Sequence, residues 1–122
     1  MDQQEIGALK AELRQFTGSE QLFYNPLFPR CRYTEGVRHL AEQAGAYWLL
    51  DHIFAHQSLA ILEDQPFQVW KITVRDDESA RIEVEDGNRH SLKSFRIPYT
   101  DFPFPEFTLW CVDGVLLLPS EY

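Results

Sequence analysis

The chain is poor in the residues on which cofactor and redox chemistry usually depends. Cysteine occurs twice, as Cys31 and Cys111, far apart and outside any Cys-x-x-Cys pair, so no disulfide framework or paired-thiol metal site is expected. A Gly-rich phosphate loop, a serine nucleophile elbow and a kinase-like motif set are all missing. Basic residues are scarce as well: eleven Lys and Arg stand against nineteen Asp and Glu, a formal net charge of -8. That balance opposes attraction to phosphate backbones and anionic lipid, so direct nucleic-acid binding and membrane binding are not expected. No apolar run approaches the roughly 20 residues of a membrane helix. The opening Asp2, Gln3, Gln4 and Glu5 do not resemble a secretory signal, and a cytoplasmic location with reduced thiols follows as the expectation.

What is present is core material. With 122 residues, 44% hydrophobic and 14% aromatic, the chain is long enough to bury a core without staples, and a single domain over residues 1–122 is expected. It divides into a helical half, about residues 1–62, and a strand-rich half, about 66–122. Ile6, Leu9, Leu13 and Phe16 recur at helical spacing between Asp2 and Gly18, which predicts an amphipathic helix ended by glycine. The stretch from Ser19 to Arg32 carries Pro26 and Pro29 among Phe23, Tyr24 and Phe28, and reads as a loop whose rings need cover. Thr34 is the expected N-cap of a helix over Glu35 to Ala44, with Gly45 ending or kinking it. The next segment, Ala46 to His56, is apolar nearly all round and is expected to be buried on several sides.

From Phe67 the period changes to two. Trp70, Ile72 and Val74, then Ala80, Ile82 and Val84, predict a hairpin with one dry face. Asp86-Gly87-Asn88 is the next turn; a three-residue loop there sets Ile82 against Leu92, and bringing Phe95 and Ile97 inward requires a bulge near Ser94. After a Pro-rich link, Phe107 to Val112, Asp113-Gly114 and Val115 to Leu118 form the strongest hairpin signal. It pairs Val112 with Val115 and Trp110 with Leu117 on one face, Cys111 with Leu116 and Leu109 with Leu118 on the other. Both faces of that hairpin are apolar, so it belongs in the middle of a sheet or under a cover: the aromatic loop, the second helix or another copy of the chain. The expected architecture is α+β, with N-terminal helices packed on an antiparallel β-meander of about five strands.

The words Tyr33-Thr34-Glu35-Gly36-Val37, Ala44-Gly45-Ala46-Tyr47-Trp48-Leu49-Leu50-Asp51, Phe67-Gln68-Val69-Trp70-Lys71, Tyr99-Thr100-Asp101-Phe102-Pro103 and Leu118-Pro119-Ser120-Glu121-Tyr122 resemble an uncharacterised family of small bacterial proteins. Many of its members are carried on plasmids, phages and other mobile elements. The resemblance spans about Leu9 to Tyr122 and implies no activity, cofactor or catalytic residue. Against it, the loop from Leu22 to Cys31 is longer here.

Four groups of residues are candidates for function. His52 and His56, four apart on a helix beside Asp51, share a face that suits a metal ion but lack a third ligand. Cys31 is a structural thiol or, with His39 or His52 as base and Arg30 and Arg32 nearby, a nucleophile. Asp76, Asp77, Glu78, Glu83, Glu85 and Asp86 crowd one hairpin, either as a solvated edge or as a DNA-like surface. Phe23, Tyr24 and Phe28 are the loop aromatics available to an interface, while Tyr33, Trp48, Trp70 and Trp110 are expected to fill the core. No catalytic residue and no cofactor is assigned. The expected function is that of a protein-binding or accessory protein of a mobile element, through a protein partner or self-association as a homodimer; the alternatives are an anti-defence inhibitor presenting an acidic surface to a basic nucleic-acid-binding enzyme, and a small metal-dependent enzyme.

Overall fold

A computed structural model describes residues 1–18 and 21–122; Ser19 and Glu20, which open the expected loop, lie outside the described residues. The first helix, α1 (Gln3–Leu13), starts in a reciprocal cap: Asp2 Oδ1 accepts from the Glu5 amide at 2.8 Å, and Glu5 Oε1 accepts from the Asp2 amide at 3.3 Å. It stops at Arg14, short of Gly18, so glycine is not its terminator. Thr34 caps α2 (Glu35–Ala44) by accepting from the Val37 amide. Gly45, at φ 61°, takes the left-handed conformation that closes α2 before α3 (Tyr47–Ala55). Between α3 and the strands lies one short helical turn, α4 (Ala60–Glu63).

Seven strands are found among the described residues: β1 (Leu22–Phe23), β2 (Arg32–Thr34), β3 (Phe67–Val74), β4 (Ala80–Glu85), β5 (Ser91–Ile97), β6 (Glu106–Val112) and β7 (Val115–Leu117). They form one sheet in the order β1-β2-β7-β6-β3-β4-β5. The five strands read from alternation are all there, but the meander is corrected. After β5 the chain crosses back to set β6 beside β3, giving the 6-3-4-5 order of a Greek key. The sheet is also mixed, since β2 runs parallel to β7. Of the other two, β1 falls in the stretch expected to be a loop and β2 starts at its last residue; two or three residues near prolines leave no alternation to detect.

Register decides which face each side chain occupies. Trp110 pairs with Leu117, Cys111 with Leu116 and Val112 with Val115, as the two-residue turn predicts. Ile82 faces Phe95 rather than Leu92, and the register shifts between Val84 and Glu85. Leu92 is therefore the extra, unpaired residue of a bulge in β5, two residues before Ser94, and the bulge brings Phe95 and Ile97 inward.

The helices cover one face only. Leu9, Leu13, Val37, Leu40, Ala41, Leu49, Leu50, Ile53 and Phe54 share a core with Trp70, Ile72, Ile82, Val84, Leu109, Cys111, Leu116 and Leu118. Burying each such aliphatic side chain contributes about 2 kcal/mol before entropy is counted. Gln68 is a buried amide in this layer: it exchanges hydrogen bonds with Gln57 at 2.9 and 3.0 Å and accepts from Trp70 Nε1 at 2.9 Å. At the far end a closing turn, Pro119–Glu121, tucks beside α2. Glu121 accepts from Thr34 Oγ1, Leu118 N and Gly36 N.

Candidate interaction surface

The opposite face of the sheet carries Phe67, Val69, Trp110, Val112, Val115 and Leu117, which alternate with the core residues along β3, β6 and β7. None of the six belongs to the core cluster, although Leu117 is itself buried; Phe67, Val69, Trp110, Val112 and Val115 are partly buried. Phe67, Trp110 and Tyr122 form a ring cluster, with centroids 5.2 Å apart for Phe67–Trp110, 5.3 Å for Trp110–Tyr122 and 5.9 Å for Phe67–Tyr122. Tyr122 stays 74% exposed. The turn after β4 lies over one edge, where a Cβ on Gly87 would stand 2.7 Å from the Phe67 ring. Trp110 is thus corrected from core filler to a half-buried residue of this second face; Trp70 is fully buried, and Tyr33 and Trp48 pack against the core.

The rest of this face is charged but nearly balanced. By register it carries Arg32, Lys71, Arg81 and Arg96 against Glu83, Glu85 and Glu106. Lys71 Nζ lies 3.2 Å from Glu85 Oε2, and Arg81 donates to Glu83 at 2.7 Å. Glu85 is itself buried, whereas the Arg81–Glu83 pair is more open to solvent and contributes little to stability.

The six hairpin carboxylates do not share one patch. Asp76, Asp77 and Glu78 occupy the turn after β3, Glu83 and Glu85 point to the open face, and Asp86 lies in the turn at the other end of β4. Two of them work locally. Asp77 accepts from the Ser79 hydroxyl and amide, which lowers its carboxyl pKa. Asp86 is lowered chiefly by accepting from the Asn88 amide, with His90 3.0 Å away.

The loop aromatics divide. Phe28 packs on Phe54, and Phe23 lies against Tyr33 and under the Arg38 guanidinium at 4.5 Å, so both complete the helical side. Tyr24 is 62% exposed.

His52 and His56 are not exposed at a helix end. Their rings lie 4.4 Å apart, and both rest on Phe95. His56 Nδ1 donates to the His52 carbonyl at 2.6 Å, which fixes its tautomer. His52 Nε2 is buried without a hydrogen-bond partner among the described residues, and burial, then the neighbouring His56, push its pKa down to about 4. Asp51 accepts from Asn25 Nδ2 at 2.9 Å, and the Tyr47 hydroxyl donates to Glu42. Among the described residues no cluster of three or more His, Cys, Asp or Glu side chains is placed to hold a metal ion.

Cys31 is buried beside a groove of about 450 Å³ lined by Phe28, Pro29, Arg30, Phe54 and Gln57. Burial raises its pKa, the reverse of activation by Arg30 and Arg32. His39, a base considered for it, is engaged 3.2 Å from Glu12. Sequence reasoning missed Gln68 and Glu121; a lone Gln in an alternating strand and a Glu near a terminus have no periodic signature.

Fold and face together define a small two-layer α+β protein, helices on one side of a mixed sheet and an unsealed apolar cluster on the other. Among its described residues no helix is long and apolar enough to cross a membrane. Within that class the chain belongs to a family of unknown function (DUF6876), whose model matches residues 7–122. No curated protein and no solved structure matches the chain.

Proposed function

We propose that this chain is a protein-binding domain that acts by docking rather than by bond chemistry, and that the open face of its sheet is the contact surface. The observation that carries this reading is the cluster of Phe67, Trp110 and Tyr122 outside the core, continued by Val69, Val112, Val115 and Leu117. Aromatic anchors on a partly dry surface are typical interface material. The occupant we favour is a second copy of the chain. Two molecules of charge -8 repel, and they meet most easily through a surface where the signs nearly cancel, as they do here. The accessory role expected from the sequence belongs to the same proposal.

Light scattering coupled to size exclusion, over a wide range of concentration, is the test. A dimer is expected, and Tyr122→Glu, at an exposed position, should weaken it about tenfold or more. Val69→Lys should act likewise from inside the cluster. A monomer at every concentration, or a dimer indifferent to both substitutions, overturns the proposal.

A further inference from the structure

At the opposite corner of the sheet, β5 is an edge strand. Ser91, Lys93, Ser94 and Arg96 are exposed along it, and no main-chain hydrogen bond leaves its outer side among the described residues. An edge of this kind is a template for another strand.

The chemistry of the corner is unusual for an acidic chain. Arg75, Arg81 and Arg96, with Ser79 and Ser94, line a groove of about 420 Å³. Arg81 and Arg96 stand directly opposite each other on β4 and β5, an arrangement that costs stability because like charges face across the ladder. Glu83 answers Arg81. Among the described residues no carboxylate comes within ion-pair distance of Arg75 or Arg96, although Arg75 is near enough to lower the Asp77 carboxyl. Positive charge on an edge is also a device against aggregation. That purpose calls for separated charges along the rim, and it leaves unexplained why a second arginine sits opposite the first and a third closes the groove.

We propose that β5 accepts an acidic, extended segment of a partner protein as an added strand, with Arg75, Arg81 and Arg96 holding its carboxylates. Main-chain pairing would supply the affinity and the arginine groove the choice of charge. Arg81 and Arg96 share the open face with the aromatic cluster but lie on β4 and β5, outside the strands that carry it, so strand addition at β5 does not depend on the dimer.

The probe is a peptide of about ten alternating Glu and Thr residues, titrated into the full chain while backbone amide resonances are followed by NMR. Saturable shifts confined to Ser91–Ile97 and its neighbours are expected. The same peptide with Lys for Glu should bind about tenfold more weakly or worse, as should Arg96→Gln protein with the acidic peptide. N-methylation of alternate peptide amides should lose a similar factor, because it removes the ladder donors. Tyr122→Glu should leave the titration unchanged, which keeps this result distinct from the fate of the open face. Equal binding of the Lys peptide, undiminished binding after N-methylation, or an absence of shifts in β5 overturns the proposal.

Discussion

Glu121 joins three parts of the chain with one carboxylate: Thr34 Oγ1 donates at 2.6 Å, Leu118 N at 3.0 Å and Gly36 N at 3.3 Å. Gly36 is what allows the approach, because a Cβ there would lie 2.7 Å from both Glu121 Oε1 and Leu118 Cδ1. Glu121→Ala is expected to cost about 2 kcal/mol by loss of charge-assisted hydrogen bonds, and Gly36→Ala about 1–3 kcal/mol by overpacking. Urea midpoints measure both, and the double variant should lose less than the sum because the two substitutions disrupt one contact. His52 adds a pH dependence. Its folded pKa of about 4 lies below the ordinary value of 6.5, so the unfolded chain takes the proton first. Stability should therefore fall as pH drops through 6.5 and stop falling from this cause near 4. His52→Leu should flatten that limb between pH 7 and 5; an unchanged slope would show that another group carries it.

At the scale of elements, the hairpin of β6 and β7 was legible because its turn and its alternation agree. Asp113 and Gly114 both have positive φ, 50° and 81°, as a primed two-residue turn demands. The same turn does a second job that no local pattern announces. The Gly114 carbonyl accepts from Arg32 N at 2.9 Å, and a Cβ on Gly114 would approach the Arg30 carbonyl to 3.1 Å. Gly114→Ala is accordingly expected to cost about 1–2 kcal/mol, and to loosen β2 as well as β7. Hydrogen exchange reads this directly: the Arg32 amide should lose protection while β4 amides keep theirs. Parallel pairing of β2 with β7 joins segments some eighty residues apart in sequence, so no window of sequence contains it.

At the scale of the whole molecule, the fold brings Cys31 and Cys111 under each other's influence. Both are buried, and desolvation followed by Cys31 raises the Cys111 pKa to about 12. With a disulfide reagent near pH 8, both thiols should react far more slowly than a free thiol, Cys111 slowest, and both should react at once in urea. Rapid labelling of Cys31 in the folded chain would contradict this. By itself the sequence determined the helices from Glu35 to Ala55, the five strands from Phe67 onward, the Asp113-Gly114 turn and the α+β class, because each rests on contacts between near neighbours or on a period that repeats. Only the tertiary structure decided that β6 returns beside β3, that Trp110 faces away from the core, that Glu121 caps α2 and that Arg81 meets Arg96. Those outcomes depend on which distant segments exclude water together, and side-chain period fixes the spacing of a face without saying what will lie against it.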